Sequence, residues 1–245
     1  MAALEARHLA SLTFPEVSRA LRALSSAYVE RRGKLAEGAA LDGAGKRAAF
    51  ALYYGPLHFL LVQAVASALN ASSGASPSLV DLGCGTGAAG AAWAASHERP
   101  PQVIGIDRNA WALGEADWTY RQFGLRGRTR QGDATKAALP SGPLDVLAAF
   151  TLNELPDAAR STLLDQLIER TSRGGRLLIL EPLAKGITPW WGAARERILT
   201  AGGRDDEWRF RLPLPPIVTK LDRAIRLNHT ELRGKSLFLA VATRD

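Results

Sequence analysis

A chain of 245 residues that is 47% hydrophobic and 22% charged has the composition of a folded domain rather than a disordered segment, and at that length roughly 70 to 75% of the unfolded surface is buried in one α/β domain with a helical extension. A single cysteine, Cys84, excludes an internal disulfide and any site built on several thiolates, and His8, His58, His97 and His229 lack metal-ligand spacing, so no metal is expected. The net charge of +7 is uneven: residues 1–75 carry 8 basic and 5 acidic side chains, 76–182 carry 11 and 12, and 183–245 carry 12 and 7, which leaves basic flanks suited to phosphate groups or simply to solvation.

The first 70 residues read as helices. Pro15 lies near a first turn, and Val17, Leu21, Leu24 and Tyr28 recur at spacings of three and four, which predicts a helix over 15–31. A second helical stretch covers 45–69, with Pro56 marking a kink or a break. The apolar run 59–69 is interrupted by Gln63 and falls short of the ~20 residues of a membrane span. With Glu5 and no apolar core before a small-residue cleavage site, the N-terminus does not read as a secretory signal. A cytoplasmic protein that does not engage a membrane is therefore expected. Residues 70–77, rich in Ala, Ser and Gly, form a linker between a helical cap, 1–75, and a second unit, 76–245.

Beyond the linker, strands and helices alternate: strand 78–82, helix 87–96, strand 102–106, helix 109–123, strands 127–131 and 144–150, helix 156–172, strand 175–181, helix 190–201 and strand 235–243. The pattern predicts an α/β fold with a doubly wound, mostly parallel sheet. The first strand runs directly into Gly83-Cys84-Gly85-Thr86-Gly87, where alternate glycines let the backbone turn sharply and approach a ligand at the N-terminus of the next helix. Gly85, Gly87 and Gly90 also spell a dinucleotide fingerprint. Cys84 reads as a small residue suited to the turn rather than a nucleophile.

Two features favour S-adenosyl-L-methionine over NAD. Asp81, at the mouth of the first strand, offers a carboxylate to a cationic amine, which NAD lacks. The second strand ends in Asp107, able to take two ribose hydroxyls of either cofactor, and the third is followed by Asp133 and Ala134, placed for an adenine amino group and ring nitrogen. These residues resemble the class I methyltransferases, in which the D-x-G-x-G-x-G turn and the acids after the second and third strands bind the cofactor. The resemblance implies a cofactor set of Asp81, Gly83, Cys84, Gly85, Gly87, Asp107, Arg108, Asp133, Ala134 and Phe150.

After the fourth strand the chain reads Phe150-Thr151-Leu152-Asn153-Glu154-Leu155-Pro156. Ligands of open α/β sheets sit at this edge, so Asn153 and Glu154 are expected beside the methyl acceptor, with helix capping as the alternative. An oxygen acceptor needs a base, for which His58, His229 and Glu154 are candidates. Tyr53, Trp190 and Trp191 are candidate walls, Trp111 a cover for an adenine face, and residues 209–216 a cover for the pocket. Glu181-Pro182 closes the fifth strand on the same rim, where a structural role is expected.

A narrower resemblance is to the methyltransferase-like family associated with the small ribosomal subunit, including its mitochondrial members. It rests on the order of Leu24-Ser25-Ser26-Ala27-Tyr28 with Arg31-Arg32, the helix around 51–58, the glycine turn, the Phe150 to Pro156 block, Leu178-Ile179-Leu180-Glu181-Pro182, and Arg195 with Ile198, Leu199 and Gly202. It implies an acceptor in small-subunit rRNA, or a non-catalytic role in ribosome assembly. Many members carry a cysteine-rich C-terminal region, and residues 200–235 contain no Cys. A small-molecule acceptor is the rival expectation.

Overall fold

Side chains alternate across each strand, so every strand of a two-faced sheet feeds two cores. In β1 (Ser78–Leu82), Leu79 and Val80 enter different apolar clusters, and so do Leu147 and Val146 of β4 (Leu144–Ala149) and Leu178 and Leu177 of β5 (Gly175–Glu181). With β2 (Gln102–Asp107), β3 (Gly127–Gln131), β6 (Arg204–Phe210) and β7 (Leu232–Val241) they form one seven-stranded sheet in the order β3-β2-β1-β4-β5-β7-β6. The first five strands are parallel, whereas β7 is antiparallel to β5 and β6 to β7. The order reverses between β1 and β4, and that switch point places the ligand cleft. The computed structural model describes residues 1–30, 41–73, 76–183, 186 and 188–241. The expectations at Arg31, Arg32, Gly74, Ala75, Ala242 and Thr243, and for the side chain of Tyr28, lie outside the described residues.

The helices are α1 (Ala2–His8), α2 (Phe14–Glu30), α3 (Ala44–Ala49), α4 (Gly55–Ala68), α5 (Ala88–Ala95), α6 (Ala110–Gln122), α7 (Asp157–Ser172), α8 (Trp191–Thr200) and α9 (Pro216–Ala224). One cluster joins Leu61, Val62 and Val65 of α4, Trp93 of α5 and Tyr120 of α6 to one face of the sheet. Leu163, Leu164 and Leu167 of α7 and Ile198 of α8 cover the other. A third cluster unites Val17, Leu21 and Leu24 of α2 with Leu52 and Tyr53 and with Ile217, Val218 and Leu221 of α9, so the last helix packs among the first ones.

Three features differ from the sequence expectation. The helix over 45–69 neither breaks nor ends at Pro56: α3 passes through a π-helical turn, Phe50–Tyr54, straight into α4. Proline lacks an N–H and crowds the carbonyl four residues earlier, and the wider π turn accommodates both. The continuous stretch Ala44–Ala68 is thereby long and apolar enough to cross a membrane on length and composition alone, yet more than half of its most apolar window is buried inside the protein. Strand β6 and helix α9 were not anticipated, because β6 reads Arg-Asp-Asp-Glu-Trp-Arg-Phe, the charged pattern of a protected sheet edge. Residues 209–216 accordingly end β6 and lead into α9, with Leu212 and Leu214 packed against the core rather than covering a ligand pocket.

Candidate functional site: a cleft at the switch point

The glycine turn is fixed by backbone contacts. Gly83, Gly85 and Gly87 all have positive φ (67°, 52° and 75°). A Cβ on Gly83 would fall 2.4 Å from Thr151 Oγ1, and one on Gly87 2.9 Å from Ala116 Cα, so the turn is pressed against β4 on one side and α6 on the other. Ile106 O accepts from both Gly83 N (2.8 Å) and Cys84 N (3.0 Å). The Asp107 carboxylate then braces the turn against the start of α6, accepting from Gly85 N at 2.9 Å and from Asn109 N at 2.8 Å. Above Gly85 a Cβ would meet only the Phe50 ring, at 3.8 Å, which leaves a cradle open to a ligand.

A cleft of about 1080 Å³ opens over this turn, lined among others by Gly83, Cys84, Gly85, Asp107, Arg108 and Trp111. Asp133, Ala134 and Phe150 line it too, with Asn153, Glu154 and His58, so the structure brings together all but two of the residues expected to hold the cofactor. Gly87 serves it from behind, at the start of α5. Asp81 is the other exception. It is 1% exposed, and its Oδ2 accepts from Gly90 N at 3.0 Å. Its place on β1 points it into the sheet–helix interface, which corrects the expectation of a carboxylate facing an amine. Burial, with the charge of Asp107, raises its pKa to about 8 even though Gly90 N–H opposes the shift. Gly90 is thus required for close packing, since a Cβ there would lie 2.6 Å from Asp81 Oδ2.

Arg108 and Asp133 form an ion pair at 2.6 Å, and Asp133 Oδ1 accepts from Thr135 N and Oγ1. Burial opposes ionisation of Asp133, but these partners hold its pKa below the usual carboxylate range. Oδ1 is taken by the two Thr135 donors, while Oδ2, which accepts from Arg108, keeps a second lone pair for a ligand. Trp111 stands at the same end with the Arg47 guanidinium 5.5 Å from its ring centroid and His8 edge-on behind it. Arg7 and His8 reach Glu115 on α6 at 2.8 and 3.1 Å. Despite burial, these two partners draw the Glu115 pKa down to about 2.

The other end of the cleft is aromatic. The π turn sets Phe50, Tyr54 and His58, spaced by four, along its wall, and His58 stacks on Phe150 with centroids 4.1 Å apart. Phe150 has φ +60°, a strained conformation for a bulky residue that turns its ring back over the cleft. Burial lowers the His58 pKa to about 4, so its imidazole is neutral at physiological pH. Cys84 is buried, and burial pushes its thiol well above the ordinary value, consistent with a turn residue rather than a nucleophile. Asn153 and Glu154 occupy a 3₁₀ turn, Leu152–Glu154, while α7 begins beyond Pro156 with no side-chain cap. The helix-cap alternative for them is therefore set aside.

Four expected contributors lie elsewhere. Tyr53, next to Tyr54 but rotated about 100° around the helix, donates to Asp222 Oδ1 at 2.5 Å behind the wall. His229 Nδ1 is 2.6 Å from the same carboxylate, and the Tyr53 bond ties α9 to the N-terminal helices. Trp191 is packed in the core and donates to Asp205 Oδ1 at 3.1 Å, and Trp190 packs at the edge of the same cluster. Phe50, Tyr54 and Thr151 were not anticipated. The four-residue aromatic spacing was visible, but it reads equally as core. Among the described residues no group of three or more His, Cys, Asp or Glu is placed to hold a metal.

Residues 79–175 match the methyltransferase domain family. A 122-residue stretch is 31% identical to the demethylmenaquinone methyltransferase of Lactiplantibacillus plantarum, covering 46% of this chain and 51% of that one. The chain thus spans about half the length of the curated relative it matches. In fold it is similar to the plantazolicin methyltransferase BpumL, whose structure holds SAH, at a TM-score of 0.53 with 14% identity over 92% of this chain and 96% of that one. It is likewise similar to the cyclase SpnF, at 0.52 with 17% identity over 76% and 82%.

Proposed function

We propose that this chain, whose residues 79–175 match the methyltransferase domain family, is a class I, S-adenosyl-L-methionine-dependent methyltransferase whose cleft transfers the cofactor's methyl group to a small, planar, largely apolar acceptor, with residues 1–75 as a cap on the domain formed by 76–245. The observation that carries this reading is the wall of the acceptor end, where Phe50, Tyr54, neutral His58 and Phe150 face the space beside Asn153 and Glu154. Such a surface suits a flat ring better than a phosphate chain. The two arginines lining the cleft are engaged within the protein: Arg47 donates to Leu41 O and stacks over Trp111, and Arg108 pairs with Asp133. An rRNA acceptor, implied by the narrower resemblance, and a purely non-catalytic role draw less support from such a cleft. The demethylmenaquinone methyltransferase relative, whose named acceptor has a flat quinone ring, agrees with a planar substrate.

When bound, the cofactor supplies an electrophilic methyl group on a sulfonium. Asp107 and the glycine turn hold the ribose and the amino-acid part, while Asp133 and Ala134 take the adenine edge. The aromatic wall aligns the acceptor for in-line attack and excludes water, the main contribution a protein makes to such a displacement. Asn153 hydrogen-bonds the acceptor's polar edge. Glu154, which reaches solvent, accepts a proton when the acceptor must lose one. With its pKa near 4, His58 acts as a wall rather than a base.

The test is transfer of labelled methyl from the cofactor to a demethylated naphthoquinol, a catechol and small-subunit rRNA, assayed side by side. Labelling of a ring acceptor is expected. Asn153→Ala and Glu154→Ala should then lower kcat by about tenfold or more, with cofactor affinity within about threefold of the parent. Label confined to RNA, or no transfer to any ring acceptor despite cofactor binding, overturns the reading.

A further inference from the structure

The turn that carries Asn153 and Glu154 into the cleft is gripped from two sides by buried ionisable side chains. On its N–H side stands Glu181, at the end of β5 and 0% exposed. Its Oε1 accepts from Asn153 N at 3.1 Å, and its carboxylate also accepts from the Leu152 backbone. On the carbonyl side stands Arg160 of α7, 6% exposed, whose Nε donates to Leu152 O at 3.2 Å and whose Nη2 donates to Leu155 O at 2.8 Å. The guanidinium carbon lies over the Trp190 ring, 4.8 Å from its centroid, and the group also pairs with Asp157.

Stability alone does not explain this arrangement. Buried ionisable groups contribute little net stability compared with apolar residues of similar volume, because both must be stripped of water. Glu181 Oε2 is moreover buried with no hydrogen-bond partner among the described residues, a condition that costs free energy and calls for a compensating role. The groups facing Glu181 are Glu154 from the turn, Arg160 from α7 and Lys235 from β7, its partner in strand register. Lys235 is itself held over the Trp191 ring, 4.4 Å from the centroid, and bonded to Thr188. Two separate elements, β5 and α7, thus converge on a turn of four residues beside the aromatic wall, with Lys235 of β7 behind Glu181.

We infer that Glu181 and Arg160 are positioning residues for methyl transfer, fixing from opposite sides of the 152–155 turn where Asn153 and Glu154 stand relative to the acceptor. The inference rests on the methyltransferase reading of the cleft, but the grip itself is measurable without an acceptor. A carboxamide at position 181 keeps an oxygen for the two N–H groups, whereas alanine offers none. Lysine at 160 keeps the charge but not the fork that spans two carbonyls.

The experiment is amide hydrogen exchange on the cofactor-bound full chain, with cofactor affinity measured by calorimetry. Glu181→Ala should accelerate exchange at Leu152 and Asn153 by tenfold or more and leave cofactor affinity within threefold. Glu181→Gln should restore protection to within threefold of the parent, and Arg160→Lys should loosen the same turn. If Glu181→Ala does not fold, Arg160→Lys and Glu181→Gln decide the matter. Where the naphthoquinol is turned over, kcat should fall with exchange while its KM stays within threefold. Unchanged exchange at Leu152 and Asn153 in folded Glu181→Ala, or in Arg160→Lys, overturns the inference. A fall in thermal stability that Glu181→Gln fails to reverse at the turn overturns it too. Failure of every ring acceptor with the parent protein counts against the function, while the exchange result still judges the grip.

Discussion

The two ends of the cleft are built by different means. At the cofactor end, the residues that matter lie within a few positions of a strand end, and the backbone does most of the work: three glycines at positive φ, two N–H groups on Ile106 O, and Asp107 bracing Gly85 and Asn109. At the acceptor end the wall is assembled from segments far apart in sequence, with His58 of the N-terminal helix stacked on Phe150 of the sheet and the 152–155 turn held by Glu181 and Arg160. A local motif can be retained while the distant segments facing it change. One end is therefore a local backbone motif and the other a product of tertiary packing.

The sharpest contrast comes from Gly87→Ala. The added methyl meets Ala116 backbone at 2.9 Å in a left-handed conformation, so a loss of about 2 to 4 kcal/mol of stability is expected, seen in thermal denaturation, together with loss of cofactor binding. Parent-like binding would mean that the turn is not the rigid element described here. Next in size is Asp107→Ala. Removing charge-assisted hydrogen bonds costs about 1.5 to 3 kcal/mol, which predicts cofactor affinity weaker by roughly ten- to over a hundredfold in calorimetry, and unchanged affinity would disqualify the ribose assignment.

At the acceptor end, His58→Phe should retain turnover within about threefold, because the stack on Phe150 survives and a base of pKa about 4 has little to give. A drop of two orders of magnitude would restore His58 as the base. A further expected effect is one of pH. Asp81 and Glu181 both have folded pKa values raised by burial to about 8, well above the roughly 4 of an unfolded carboxyl. Between those values the folded chain holds more protons than the unfolded one, so these groups make stability fall as pH rises from about 4 to about 8. Asp81→Asn should flatten that slope in denaturant titrations, and a slope unaltered by the substitution would show that Asp81 titrates normally.

The same division governs what could be read from the chain itself. The parallel strands, the glycine turn, Asp107, Asp133 and the Asn153–Glu154 turn announce themselves through alternation and turn residues close in sequence. Strand β6 did not, since it is a charge-rich sheet-edge strand in which Asp205 and Asp206 are half-buried and only Trp208 and Phe210 add apolar contact with the core. Asp81 was placed at the right strand but on the wrong surface, because an acid at a strand end can face a ligand or the helix behind it, and only the contact with Gly90 decides. Tyr54 lines the cleft where Tyr53 was expected for a similar reason: the π turn at Phe50–Tyr54 shifts the helical phase that spacing alone assumes. Glu181 and Arg160 meet only through tertiary structure, across 21 positions of sequence.

A direct decision on what the cleft does comes from incubating the purified chain with methyl-labelled S-adenosyl-L-methionine and equal concentrations of a demethylated naphthoquinol and small-subunit rRNA, then counting label in each. The aromatic wall predicts label in the ring compound and none above background in the RNA. Label in the RNA alone would contradict it.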